Sequence, residues 1–260
     1  RLPGADLQLL LAAAQKAGEV AQRYARNGAQ AWEKPDHSGP VTEADLAVNA
    51  LLFDMLGSAR PNYGWLSEET EDDQKRLGAE HCFVIDPIDG TRSFIAGEKT
   101  WAHSLAITTG SDVTAAVIAL PMLGLTYYAE QGSGAFLNQQ AINVSDCRQI
   151  DDATVLAAKP ALEARHWRLP LPAGLQRRHK PSLAYRMALV AQGEFDAMIT
   201  LRDTWDWDIC AGALIVAEAG ARVSDKAGTP LLFNRSDVTS SGVLAANPPL
   251  HQQFKDALDL

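Results

Sequence analysis

The chain has 260 residues, 47% of them hydrophobic, and a formal charge of −9. That length and apolar content supply one large core, or two joined layers of a single α/β domain. The acidic balance excludes a surface built to bind nucleic-acid polymers, and the lack of any apolar run of about 18 residues predicts no membrane-spanning helix.

Leu7, Leu10, Leu11, Ala14 and Ala21 recur at helical spacing, opposite polar Gln15, Glu19 and Gln22, and predict an amphipathic helix over 5–26. A second helix is predicted from VTEAD, with Thr42 as its cap, to Gly57. Between them EKPDHSGP (33–40) reads as a loop long enough to reach over a site. From residue 63 to 145 the texture changes. YGWLSEE and HCFVIDP end apolar runs in carboxylates, and HSLAITT, VTAAVIALP, LTYYAE and GAFLN follow between Gly-containing turns. They predict neighbouring strands of one sheet.

Helices return at 183–192 (LAYRMALVAQ) and 206–219, the latter stopping at Gly220, with a strand at FDAMITL before it. SGVLAAN predicts a last strand and PPLHQQFKDAL a last helix. Strands and helices interleave without clean alternation, which predicts a layered α/β sandwich, not a doubly wound sheet or barrel. The expectation is one domain over 1–260, with a division near residue 150 into halves 1–150 and 151–260 that no linker marks. Cys82, Cys147 and Cys210 are odd in number and form no CxxC pair, which suits reduced thiols in the cytoplasm. No signal segment is visible in a sequence that opens at Arg1. The basic cluster RRHK (177–180) reads as solvated surface.

The stretch FVIDPIDGTRSF (83–94) sets two like charges, Asp86 and Asp89, at the end of a buried strand. Their repulsion is unfavourable unless a cation lies between them or one stays protonated. Glu68 and Asp208 also fall at element ends, where side chains from distant parts of a chain converge. Hard divalent cations such as Mg²⁺ take such oxygen ligands, and a helix beginning at Gly90-Thr91 would offer N–H groups to phosphate oxygens. Each signal also has a plain structural reading: a turn for Asp86–Gly90, solvated surface for Glu68-Glu69, a cap for Asp208, a first-turn carboxylate for Asp45. Aspartyl-nucleophile phosphatases need Asp-x-Asp-Gly-Thr, whereas two residues separate the aspartates here. The added residue would turn the second carboxylate to the other side of an extended chain. Cys-x5-Arg, GxxxxGK[ST], GxSxG and HExxH motifs are missing, and the histidines form no ligand-spaced pair for zinc.

DPIDGTRSF together with WDICAGALIVAEAG resembles the inositol monophosphatase superfamily of Mg²⁺-dependent, lithium-sensitive phosphatases, with VTEAD, WLSEE, DPIDGT and WD-x-x-AG in the family's order. The resemblance implies a layered αβαβα fold of the kind shared with fructose-1,6-bisphosphatase, and two or three Mg²⁺ ions per site. It implies Glu68, Asp86, the carbonyl of Ile88, Asp89 and Asp208 as metal ligands. Thr91 and Asp45 would orient and activate water, with Glu68 in the same catalytic set, and Gly90 and Thr91 would hold phosphate. Lys34 matches a family lysine near the site, and Trp207 is assigned to packing.

The implied reaction is direct hydrolysis of a small phosphate monoester without a covalent phosphoenzyme, in a protein that can be a homodimer. Arg92 and Arg202 stand where inositol-specific relatives carry other residues, and arginine suits a second phosphate or a carboxylate better than a polyol. SEETEDDQKRL, PSLAYR, AQGEFDA and TWDWD look most like bacterial 3′(2′),5′-bisphosphate nucleotidases. The expected substrate is therefore 3′-phosphoadenosine 5′-phosphate. The alternatives are inositol 1-phosphate, histidinol phosphate (DGTRSF resembles that branch), a sugar bisphosphate, or a non-catalytic regulatory role on the same scaffold.

Overall fold

The computed structural model describes residues 3–35 and 39–259. In chain order the elements are α1 (Ala5–Asn27), β1 (Ala31–Glu33), β2 (Pro40–Thr42), α2 (Glu43–Ala59), β3 (Gly64–Ser67), β4 (His81–Asp89), α3 (Thr91–Ile95), β5 (Ala102–Thr109), β6 (Asp112–Leu120) and β7 (Leu125–Glu130). They continue with β8 (Ala135–Leu137), β9 (Gln140–Ile142), β10 (Thr154–Ala157), β11 (Gln176–Arg178), α4 (Leu183–Ala191), β12 (Ala197–Trp205), α5 (Asp206–Glu218), β13 (Arg222–Ser224), β14 (Thr239–Ala246) and α6 (Pro248–Ala257).

The strands from β3 to β9 form one seven-stranded sheet in sequence order, as the run of apolar segments predicts. Its first pair is parallel and the rest antiparallel. A second sheet has the order β11-β10-β12-β14-β13. The period of two divides the side chains between layers. On β4, Phe83 and Ile85 face α1 and α2, whereas Cys82 and Val84 face the core that contains α4 and α5. On β14, Val243 and Ala245 join that central core, while Leu244 and Ala246 pack with Leu250 and Phe254 of α6. The layers thus run helix pair, sheet, helix pair, sheet, helix, which is the αβαβα sandwich.

The central helices are apolar because both their sides are covered. Every residue of α4 is buried, as are all residues of α5 from Ile209 to Val216. They approach closely at Gly212, where a Cβ would lie 2.6 Å from Met187 Sδ. By contrast α2 buries Ala44, Val48, Leu52 and Leu56 at four-residue spacing.

The 33–40 loop ends in a two-stranded ribbon, Glu33 pairing with Pro40, and residues 36–38 lie outside the described residues. The stretch 150–178 has no clear sequence period. It supplies β10, β11 and short 3₁₀ turns at Ile150–Asp152, Lys159–Leu162 and Ala164–His166. No helix of the described residues is long and apolar enough to cross a membrane.

Candidate active site

The apolar run of β4 carries Asp86 into the interior, where it is 1% exposed. In a regular strand, a residue three positions on would face the opposite side. The strand ends at Asp89, with a bulge between it and Asp86. Asp86 pairs with Ser104 and Asp89 with Ala102, so three steps on β4 match two on β5. The extra residue re-aims Asp89. A bulge therefore reconciles the spacing that would have parted the two carboxylates. His103, opposite it on β5 and fully buried, hydrogen-bonds through Nδ1 to the Pro87 carbonyl.

α5 completes the cluster. Asp208 sits in its first turn, where carboxylates are favoured by the helix dipole. Oxygens of Asp86, Asp89 and Asp208 lie within 4.8 Å of one another. Burial, and then the Glu68, Asp89, Asp208 and Asp45 charges, push the Asp86 carboxyl well above the carboxylate range. Burial, and then Asp89 and Glu68, do the same to Asp208. Asp89 is raised by burial to about 6, against the pull of its hydrogen bonds. Its Oδ2 accepts from Ser182 Oγ at 2.6 Å and from the Ala184 N–H at 2.7 Å, so the start of α4 holds it in place.

Glu68 stands outside this group of three. Its Oε1 is 2.8 Å from Lys34 Nζ, which also pairs with Glu69 Oε1 at 2.8 Å. The 33–40 loop thus reaches the acidic centre through an ammonium engaged by two carboxylates. Glu69 has only a 6% exposed side chain, and burial raises its pKa to about 7.

Asp45 is fully buried at the third position of α2 and forms a capping box with Thr42. Its Oδ2 accepts the Thr42 N–H at 2.8 Å, while its Oδ1 lies 3.3 Å from Thr91 Oγ1. Burial raises Asp45 to about 6. Thr91 Oγ1 is also 3.2 Å from the Ile88 carbonyl oxygen, so its single proton has two acceptors in reach. Gly90, at φ +98°, makes the turn from β4 into α3 in a conformation that favours glycine. α3 spans only Thr91–Ile95.

The other sequence candidates are at the rim. Arg92 is exposed on α3, and its guanidinium makes no hydrogen bond or ion pair with the described residues. Arg202 is exposed on β12 beside a bulge between Thr200 and Asp203, and its charge helps hold down the Asp208 pKa. Asp206 faces away, its Oδ2 accepting the Asn234 N–H at 2.9 Å. Cys210 is fully buried in the central core.

Sequence reading missed Glu69, His103 and Ser182. Ser182 lies within the PSLAYR stretch, but only the fold brings α4 against the bulge of β4.

An all-oxygen donor set of three carboxylates fits a hard divalent cation. Asp86 Oδ1 is buried with no hydrogen-bond partner among the described residues, as an oxygen reserved for such an ion would be.

Residues 6–258 match the model of the inositol monophosphatase family. An inositol-1-monophosphatase of Rhizobium meliloti is 35% identical over 72% of this chain and 73% of its own length. A histidinol-phosphatase of Chlorobaculum parvum is 33% identical over 93% and 92%. The 3′(2′),5′-bisphosphate nucleotidase CysQ of Aggregatibacter actinomycetemcomitans is 32% identical over 89% and 88%. Among solved structures, the extragenic suppressor protein suhB of Bartonella henselae superposes with a TM-score of 0.82 at 29% identity, over 97% of this chain and 98% of that one. A match over almost the whole chain, joined to a buried acidic centre in the matching fold, places the chain in the inositol monophosphatase family of metal-dependent phosphatases, as a phosphoric monoester hydrolase.

Proposed function

We propose that this chain is a Mg²⁺-dependent 3′(2′),5′-bisphosphate nucleotidase that removes the 3′-phosphate of 3′-phosphoadenosine 5′-phosphate. The observation that carries the metal chemistry is the convergence of Asp86, Asp89 and Asp208 around an unpartnered, buried Asp86 oxygen. In this reading those three, with Glu68 and the Ile88 carbonyl, hold Mg²⁺. When bound, the cations acidify water and neutralise charge on the phosphoryl and leaving oxygens.

Thr91 and Asp45 orient the attacking water. A proton released from it can pass by way of the Thr91 hydroxyl to Asp45, whose burial leaves its carboxylate basic enough to take it. The water oxygen bonds to phosphorus as the ester P–O bond breaks, and the leaving oxygen departs as an alcohol once protonated. Backbone N–H groups of Gly90 and Thr91, at the start of a helical turn, hold the phosphate.

The nucleotide is favoured by the rim. Exposed Arg202 contributes a positive charge that acts on Asp208. Trp205 is 44% exposed, and its indole stacks on Trp207 with ring centroids 5.0 Å apart and planes 8° apart. A planar face of this kind suits a base better than a cyclohexane polyol.

Phosphate release from 3′-phosphoadenosine 5′-phosphate, inositol 1-phosphate and histidinol phosphate, with and without lithium, tests the reading. A kcat/KM at least about tenfold higher for the nucleotide supports it. Preference for either other ester moves the substrate and leaves the metal chemistry standing. No Mg²⁺-dependent turnover of any ester would favour a non-catalytic role.

A further inference from the structure

A second hollow lies away from the acidic centre, between the last turns of α2 and the start of β3, the edge strand of the seven-stranded sheet. Its volume is about 350 Å³, enough for a small ligand. Gly57, which lines it, and Asp45 of the acidic centre stand on the same helix, about 18 Å apart along its axis.

Phe53, Tyr63, Trp65 and Phe83 line the hollow with aromatic rings. Phe53 meets Trp65 edge to face, with centroids 5.2 Å apart and planes at 89°. Phe83, buried behind, lies 5.2 Å from the Tyr63 ring and 6.2 Å from that of Trp65. The polar tips of two rings are tethered. Trp65 Nε1 donates to Thr70 Oγ1 at 3.1 Å, and the Tyr63 hydroxyl donates to Asp6 Oδ2 at 2.9 Å. Rings held in this way lose little freedom when a ligand settles on them.

The charged groups at the hollow are Arg60 and Asp54. Arg60 is committed to Asp6, with Nε and Nη2 at 2.9 and 2.8 Å from Oδ1. Exposed Asp54 forms no ion pair among the described residues. The hollow therefore offers ring faces, which are negative, and one uncompensated carboxylate. That set disfavours an anion, and a single carboxylate supplies too few oxygens for a hard metal ion. It matches an organic cation.

Gly57 is an independent observation. Glycine weakens a helix interior, so its presence calls for a reason. At Gly64, also lining the hollow, packing gives one: a Cβ would lie 2.7 Å from Arg76 Cβ. At Gly57 φ is not positive, and a Cβ would meet nothing within 4 Å. Neither its conformation nor packing within the chain requires glycine there. What glycine preserves is open space beside the rings.

We propose that this hollow binds a small organic cation of the alkylammonium class, seated against Phe53 and Trp65 with Asp54 as counter-charge. The site is separate from the phosphatase centre and independent of which ester that centre hydrolyses.

The probes are choline and 3,3-dimethylbutan-1-ol, a neutral molecule of the same shape with carbon in place of the charged nitrogen. Ligand-observed NMR titrations use the full chain with Mg²⁺ present, so that the acidic centre does not attract the probe. Choline should bind at least about fivefold more tightly than the alcohol. Phe53→Leu, at a half-exposed position, keeps apolar bulk, and Asp54→Asn keeps shape. Each should cut the preference for choline severalfold and leave the alcohol nearly unchanged. In Gly57→Leu the new side chain leans back over Phe53 and Asp54. It should abolish saturable binding of both probes while phosphatase activity stays at the wild-type level. Equal affinity for the two probes, no saturable choline binding, or wild-type binding by Gly57→Leu overturns the proposal. Should Gly57→Leu fail to fold, the other two variants decide, and an unchanged preference in both overturns it.

Discussion

The Ser182 hydroxyl donates to Asp89 Oδ2 at 2.6 Å while accepting the Tyr185 N–H at 2.9 Å. One hydroxyl therefore caps α4 and anchors a carboxylate of the acidic centre. Ser182 does so at φ +66°, a conformation that costs a residue with a Cβ about 1 kcal/mol or more. Ser182→Ala keeps that cost and loses both hydrogen bonds, so it should lower stability by about 1 kcal/mol. Ser182→Gly also loses both bonds but relaxes the backbone, and should melt above the alanine variant. Both should need more Mg²⁺ than wild type for half-maximal thermal stabilisation, by a similar factor. An alanine variant with the wild-type melting point and Mg²⁺ response would show that the double role is inert.

The acidic centre also makes a prediction about pH. Asp45 and Asp89 are raised from 3.8 to about 6, and Asp86 and Asp208 are also raised well above the carboxylate range, so the folded, metal-free protein binds more protons than the unfolded chain. Their contribution to stability is present below about pH 4 and is lost as pH rises through 6. Buried His103 and His251, lowered to about 4, oppose this trend between about pH 4 and 6.5. Metal does not ligate either histidine in the proposed site, so the difference in melting temperature with Mg²⁺ and with EDTA isolates the carboxylates. That difference should be near zero at pH 4 and grow towards pH 7 to 8, because cations bind the deprotonated oxygens. Asp208→Asn removes one buried like charge. It should raise the melting point in EDTA at pH 8 and flatten the Mg²⁺ response, while losing most phosphatase activity. A Mg²⁺ stabilisation equal at pH 4 and pH 8 would remove the acidic centre as the binding site.

The layers were legible because each main element carries its own period. Leu7, Leu10 and Ala14 mark one face of α1, and the unbroken apolar runs of α4 and α5 mark helices covered on both sides. β10 and β11 were not, being four and three residues long and half exposed on the outer strand. The site divides along the same line. Asp86, Asp89 and Asp208 lie in motifs contiguous in sequence. Ser182 acts through a contact between α4 and a bulge 93 residues earlier, and Glu69 looks like half of a solvated Glu-Glu pair until Lys34 closes over it. The bulge itself is invisible locally, since nothing in DPID states that β5 will match three steps with two.

His103 faces that bulge, and its role can be separated from mere filling of space. Its Nδ1 bonds to the Pro87 carbonyl, an acceptor only, so Nδ1 carries the proton and the ring is neutral, as its depressed pKa of about 4 requires. Pro87 lies between Asp86 and the Ile88 carbonyl, and its own ring offers no N–H to the ladder. The histidine therefore satisfies and orients the Pro87 carbonyl of the bulge. His103→Leu fills much of the volume but leaves that carbonyl unpaired, at a cost of about 1–3 kcal/mol. His103→Asn is smaller and opens a void, yet its amide can reach the carbonyl from nearly the position of Nδ1. If the ring only packed, leucine would be the milder change in every measurement. If it positions the bulge, asparagine should stay closer to wild type in the Mg²⁺ concentration giving half-maximal activity and in that giving half-maximal thermal stabilisation, even where its melting point in EDTA is lower. Leucine should raise both concentrations severalfold, and a leucine variant with the wild-type metal dependence would reduce His103 to packing.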